Sequence, residues 1–289
     1  MKVAFIGMGL MGRPMAERVL MAGNELYIYN RTMEKTTPLK EKGAKVALTA
    51  HEARQLAEIV VLMLSDGNAV KEALFQGTDE VQKYAGQTII QMSTIAPAES
   101  REIARRIIEA GGEYIEAPVL GSVPQATDGK LVVMMGGSRE QYEKWRSFLE
   151  IFGPEPLYIG EIGKAAAMKL ALNQLIASLT AAFSLSLSII MKEGINTDQF
   201  MNVLRNSALY AKTFDAKLQN MLSNDFSKVN FPAKHLLKDV RLTLDEARSL
   251  GLNATALEAV QEILNKTVSK GWADQDYSVL FNAVGNHSV

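Results

Sequence analysis

The chain has 289 residues, with 31 Lys and Arg against 32 Asp and Glu and a net charge of −1. That length accommodates two domains and a substantial core, while the balanced charge, without long single-sign runs, argues against nucleic acid or an anionic membrane surface as a partner. Cysteine is absent, which removes disulfides, Cys-ligated zinc and a thiol nucleophile together.

The first element is an apolar run at 3–6, readable as a buried strand, that leads directly into Gly7-x-Gly9-x-x-Gly12. An amphipathic segment at 13–21 follows. In a strand-turn-helix that holds a dinucleotide, Gly7 permits the tight turn and Gly9 lets backbone approach a pyrophosphate. Gly12 lets the helix pack close to the strand. The pyrophosphate then lies at the helix N-terminus, where open N–H groups and the helix dipole favour an anion. Met8, Leu10 and Met11 complete the expected contact loop. Because the chain runs straight into a strand, no secretory leader is expected and a cytoplasmic protein is the default.

The second strand is expected at 25–29, followed by Asn30-Arg31-Thr32. An NAD-binding unit would place a carboxylate near this strand end to accept hydrogen bonds from the adenosine ribose. Here there is none. A carboxylate would repel a 2′-phosphate, whereas the forked Arg31 guanidinium pairs with it and stacks on adenine, and Thr32 adds a hydroxyl. NADP(H) is therefore the expected cofactor. A solvated loop role for Arg31 is the alternative.

Further apolar runs at 59–64, 88–92, 113–117 and 131–135 alternate with helical stretches at 33–42, 50–55, 69–75 and 98–110. Such alternation predicts an α/β domain whose mostly parallel sheet is covered on both faces by helices. The strands stop at Gly163. From 164 to 193 the chain contains neither Pro nor Gly before Gly194, which predicts one long helix. Residues 170–191 are uncharged, so a membrane span is one reading of this segment. Asn173, Gln174 and the many Ser and Thr residues favour a buried core helix that also contributes a subunit contact. Helices are expected at 197–206, 214–222, 233–250 and 254–271. The domains are thus expected at 1–162 and 163–289.

Lys169 and Asn173 are four residues apart and share one helix face. A lysine in so apolar a setting is costly unless its ammonium meets a partner or a cleft, and lysine serves as an acid or base when buried. A side chain reaching back to solvent from the helix start fits the same spacing. His51, His235 and His287 are too scattered for a metal site, and no Gly-x-Ser-x-Gly elbow supports a Ser-His-Asp hydrolase.

Four features in order resemble the β-hydroxyacid dehydrogenase family, which includes 3-hydroxyisobutyrate, tartronate-semialdehyde and 6-phosphogluconate dehydrogenases. They are Gly7-x-Gly9-x-x-Gly12, Ala117-Pro118-Val119 leading to Gly121 and Gly129, Gly160-x-x-Gly163, and Lys169-x-x-x-Asn173. Within the family the chain most resembles the NADPH-dependent glyoxylate and succinic semialdehyde reductases. This likeness rests on Asn30-Arg31-Thr32, Met63-Leu64-Ser65-Asp66 and Phe231-Pro232-x-Lys234-His235-x-x-Lys238-Asp239-x-Arg241-Leu242. The resemblance implies a Rossmann-type N-terminal domain followed by an all-helical C-terminal domain.

It further implies reduction of an aldehyde or keto carbon of a small-molecule substrate, with Lys169 as general acid and Asn173 orienting the lysine or the substrate. Leu64, Ser65 and Thr94 would join the cofactor loops, and Lys238 would reach the cofactor from the helical domain. Backbone N–H groups of Gly121 and Ser122 would hold a substrate carboxylate beside Leu120 and Phe231. A homodimer or homotetramer is implied, and no metal. The chain departs from the family at Leu120, where a serine is usual, and at Ala165, where many relatives have glycine. The first departure removes a hydroxyl from the carboxylate site. Oxidation of a 3-hydroxyacid is the competing reading, imine reduction is disfavoured by Lys169, and a non-catalytic scaffold is disfavoured by the Lys169–Asn173 pair.

Overall fold

The computed structural model describes residues 1–76 and 84–285, so His287 lies outside the described residues. The chain divides into two compact units, Met1–Lys169 and Leu170–Val289.

Among its described residues the first unit has nine strands: β1 (Lys2–Ile6), β2 (Glu25–Tyr29), β3 (Lys45–Val46), β4 (Ile59–Leu62), β5 (Thr88–Gln91), β6 (Glu113–Glu116), β7 (Val119–Leu120), β8 (Val132–Gly136) and β9 (Leu157–Gly160). They follow the order β3-β2-β1-β4-β5-β6-β8-β7, with β9 against β8. Every pairing from β3 to β6 is parallel. The pairs β6–β8 and β7–β8 are antiparallel. The run 3-2-1-4-5-6 is the doubly wound order, and its direction reverses beside β1, where the carboxyl ends of β1 and β4 open a crevice for a ligand.

Side chains alternate across this sheet with period two. Val3, Phe5, Ile59 and Val61 pack on one face with Met15, Val19 and Phe148. Ala4, Ile6, Val60 and Leu62 pack on the other with Val70, Leu74, Ile103 and Ile107. Strands buried on both faces read as continuous apolar runs, which is why β1, β4 and β5 were legible. The expected helix at 33–42 is instead a 3-10 turn, Met33–Thr36, and a single helical turn, Thr37–Lys40. The chain then enters β3, whose two residues carry no periodicity.

The long helix spans Lys164–Lys192, 29 residues. It is long and apolar enough to cross a membrane by length and composition, and its Ala177 and Ala181 pack into a cluster with Leu236, Leu237 and Val240. The second unit continues with helices Thr197–Arg205, Lys212–Ser223, Ala233–Ser249, Thr255–Thr267 and Leu280–Gly285. Among its described residues the one strand-like pairing is an isolated bridge between Pro232 and Asp276. The helix expected at 254–271 ends at Thr267 and passes into a π-helical turn, Val268–Trp272, where Gly271 takes a φ of +85°. That left-handed conformation is one glycine adopts at little cost, and it ends the regular helix.

Candidate functional site

The glycine turn has the form its spacing predicts. Gly7 takes a φ of +107°, and a Cβ there would overlap the Met63 carbonyl oxygen; one on Gly12 would overlap the Gly7 carbonyl oxygen. Gly9 faces open space, with nothing within 4 Å of its would-be Cβ. The helix Gly12–Met21 has no side-chain cap at Met11 and no acid in its first turn. Its N-terminal N–H groups therefore suit an external anion, which a diphosphate supplies. Leu10 is exposed beside this turn, while Met8 is buried.

Asn30 replaces the missing carboxylate with a bracket. Its Oδ1 accepts from the Met8 N–H at 2.9 Å and its Nδ2 donates to the Thr32 carbonyl at 2.8 Å. Arg31 and Thr32 are exposed at the strand tip. Across the switch point, the Leu64 N–H donates to Ser93 Oγ at 2.7 Å, joining the loops after β4 and β5. Ser65 Oγ donates to Asp66 Oδ2 at 2.8 Å, and Asp66 caps the helix Gly67–Phe75 through Ala69 N–H. Thr94, half-buried, follows Ser93 in the β5 loop. The structure thus brings the glycine turn, Asn30, Leu64 and Ser93 to the carboxyl ends of β1, β2, β4 and β5.

The loop expected to bind a carboxylate follows β7. Gly121 takes a φ of +138° after β7, and half-buried Leu120 pairs with Val132 in the ladder. Ser122 is the N-cap of the helix Val123–Asp128, and both its N–H (3.0 Å) and its hydroxyl (2.7 Å) donate to Gln125 Oε1. The Ser122 N–H expected to face a substrate is thus satisfied, with the hydroxyl, by the Gln125 side chain reaching back to the N-cap.

The start of the long helix is held by a residue that sequence spacing did not reveal. Glu116, fully buried at the end of β6, accepts through Oε1 from the N–H groups of Gly163 (2.8 Å), Ala165 (2.8 Å) and Ala166 (3.1 Å). Its Oε2 accepts from the Ser100 hydroxyl. A carboxylate at a helix N-terminus satisfies open donors and meets the positive end of the dipole. Burial pushes the Glu116 carboxyl above the usual carboxylate range, against the opposing pull of Ser100 and the three amides. The clamp fixes the first turn of the helix that carries Lys169, which is 8% exposed.

One turn further along that helix, Asn173 is buried, and its Nδ2 donates to Asp239 Oδ2 at 2.6 Å. Asp239 is buried as well, and Lys238 Nζ forms an ion pair with its Oδ1 at 2.8 Å. The second unit therefore joins Asn173 and Lys238 through a carboxylate that follows Lys238 directly in sequence. Phe231 packs edge-on against Tyr277 at 5.9 Å, and its carbonyl accepts from the Tyr277 N–H. Beside Lys238, burial and the charges of Lys238 and Lys234 push His235 below its ordinary value of 6.5. No group of three or more His, Asp or Glu suited to a metal ion occurs among the described residues.

These features fit a nicotinamide dinucleotide, with open room at Gly9, an uncapped helix start and no carboxylate at the β2 tip. Residues 2–160 match the NAD-binding domain family of 6-phosphogluconate dehydrogenase, and residues 163–284 match the NAD-binding family of NADP-dependent 3-hydroxyisobutyrate dehydrogenase. The chain is 31% identical over 285 residues to glyoxylate/succinic semialdehyde reductase 1 of Arabidopsis thaliana, covering 98% of each chain. It is 32% identical over 283 residues to the chloroplastic glyoxylate/succinic semialdehyde reductase 2 of the same plant, covering 98% of this chain and 79% of that protein. The fold matches that of 3-hydroxyisobutyrate dehydrogenase from Salmonella typhimurium with a TM-score of 0.86 at 22% identity, over 97% of this chain and 98% of that one. With both halves of the chain matched in the expected order, this protein belongs to the 3-hydroxyisobutyrate dehydrogenase family of NADP(H)-dependent oxidoreductases.

Proposed function

We propose that the chain reduces small carboxylate-bearing aldehydes, glyoxylate and succinic semialdehyde foremost, with NADPH. The observation that carries this reading is buried Lys169 one helical turn from Asn173, in a chain 31–32% identical to reductases of those two aldehydes. The bound cofactor supplies the hydride that reduces the carbonyl carbon. As negative charge develops on the carbonyl oxygen, the Lys169 ammonium stabilises it and donates the proton; in the reverse direction the neutral amine accepts it. The glycine turn, with Met8, Leu10 and Met11, holds the pyrophosphate, and Arg31 with Thr32 takes the 2′-phosphate. Leu64, Ser65, Thr94 and Lys238 complete the cofactor contacts.

The substrate carboxylate docks at Gly121 and Ser122, next to Leu120 in the same loop, and takes the place of the Gln125 amide oxygen on the Ser122 donors; Phe231 is the substrate contact assigned to the helical domain. Residues 1–162 form the NADP-binding domain, which also carries the Gly121–Ser122 loop, and 163–289 the helical domain for substrate and subunit contacts of a cytoplasmic homo-oligomer. Exposed Leu175, Leu185 and Ile189 on the long helix support the last point.

The test is NADPH and NADH oxidation by the purified protein with short semialdehydes and 2-oxoacids. NADPH oxidation with glyoxylate or succinic semialdehyde, and far less with NADH, is expected; equal use of both coenzymes refutes the role of Arg31. Leu120, where a hydroxyl is usual, leaves a second reading open, oxidation of a 3-hydroxyacid, which the same panel run with NADP+ and hydroxyacids distinguishes.

A further inference from the structure

Asn173 has a donor end and an acceptor end, and the structure commits the donor. Its Nδ2 lies 2.6 Å from Asp239 Oδ2. An ionised carboxylate only accepts hydrogen bonds, so Asp239 dictates which end of the amide faces it. The reverse orientation would set two acceptor oxygens against each other at that distance, in a place where both residues are 2% exposed and water cannot mediate. The other end, Oδ1, is buried without a hydrogen-bond partner. Buried polar atoms are normally paired, so one left open within a turn of Lys169 points to a donor that arrives there. The Asp239 carboxylate is itself anchored, with Lys238 Nζ 2.8 Å from Oδ1.

We propose that Asp239 is a positioning residue that locks Asn173 as a hydrogen-bond acceptor, so that Asn173 Oδ1 receives an N–H or O–H at the reacting end and never donates to the carbonyl oxygen. This rests on the reductase reading. The donors in question are the Lys169 ammonium and the hydroxyl of the alcohol product. It follows that stabilising the developing oxyanion falls to Lys169, while Asn173 aims the donor. Asp239 also couples this pair to Lys238, so the orientation of the amide and the placement of the cofactor lysine depend on one carboxylate.

The test combines kinetics with an observable independent of turnover, the 1H–15N signal of the Asn173 side-chain amide, assigned by its loss in Asn173→Asp. In the wild type its two protons exchange slowly with water; free exchange overturns the proposal. In Asp239→Asn the amide at 239 can present either end, the lock is lost, and the Asn173 signal shifts and exchanges faster. The kcat falls at least about tenfold, a change worth about 1.4 kcal/mol, while the melting temperature stays within a few degrees. An unmoved signal with wild-type kcat overturns the proposal, and so does a lower melting temperature with unchanged kcat.

Asn173→Asp combined with Asp239→Asn inverts the pair while leaving an acceptor at 173, and it recovers kcat above either single variant. Failure of that recovery also overturns the lock. A wild type that oxidises no NADPH with any aldehyde refutes the reductase reading instead, and the amide signal still decides the orientation.

Discussion

Asn30 Oδ1 accepts the Met8 N–H at 2.9 Å, a hydrogen bond that ties the tip of β2 to the glycine turn. The same amide donates to the Thr32 carbonyl, which shapes the turn that displays Arg31. An aspartate at this position keeps the acceptor for Met8 but loses the donor to Thr32 and adds a negative charge beside the proposed 2′-phosphate site. Asn30→Asp is therefore expected to weaken NADPH binding by about tenfold or more and to narrow the preference over NADH, since like charges brought together discriminate strongly. Dissociation constants for both coenzymes, measured by quenching of protein fluorescence, check this. Unchanged NADPH affinity places the phosphate elsewhere.

Gly12 has no room for a methyl group, because a Cβ there would overlap the Gly7 carbonyl oxygen, which is backbone and cannot swing aside. Gly12→Ala should separate the helix from the turn and abolish measurable NADPH binding. Gly9→Ala points into open space and should leave the fold intact, so its melting temperature without coenzyme stays near wild type while coenzyme affinity falls. A Gly9 variant that binds NADPH normally would move the pyrophosphate off this turn.

Lys217 and Asp276 form a buried ion pair at 2.8 Å, with side chains 10% and 0% exposed. The carboxylate also accepts from the Asn230 N–H and from the N–H and hydroxyl of Ser278. Removing one partner of such a pair leaves the other charge buried, a loss of about 3–5 kcal/mol. Asp276→Ala should destabilise the protein by that order in urea unfolding. A loss below about 1 kcal/mol, the range of exposed pairs, would contradict the burial.

His235 provides a pH test. Burial, then Lys238 and Lys234, hold its folded value below 6.5, its ordinary value. The unfolded chain therefore binds more protons than the folded one once the pH drops below about 6.5, and stability is lost from there down to the folded value. The wild type should lose more of its urea midpoint between pH 7.5 and 5.5 than His235→Gln does. Equal losses would show that His235 protonates without penalty.

What the sequence made legible was local. The Gly7-Gly9-Gly12 spacing sufficed because three glycines directly after a strand mark the turn by themselves, although the turn is also packed against the distant Met63 carbonyl and held by Asn30. The long helix was legible from an unbroken run without Gly or Pro. Strands β3 and β7 have two residues each and exist because a neighbour pairs with them, which no periodicity records. Glu116 caps a helix 47 residues away, a relation set by the sheet order. The Gln125 side chain that occupies the Ser122 N–H belongs to a Ser122-x-x-Gln125 pattern, a local signal for a helix start that the sequence does carry. Asp239 stood next to Lys238 in a stretch already singled out, and its partner Asn173 is 66 residues distant.

The most direct measurement is turnover of Lys169→Ala beside its NADPH affinity. General acid help is typically worth about 10²–10⁴ in rate, so kcat with glyoxylate or succinic semialdehyde should fall by that factor while the NADPH dissociation constant changes little. A variant that retains wild-type kcat would contradict the assignment of Lys169 as the acid.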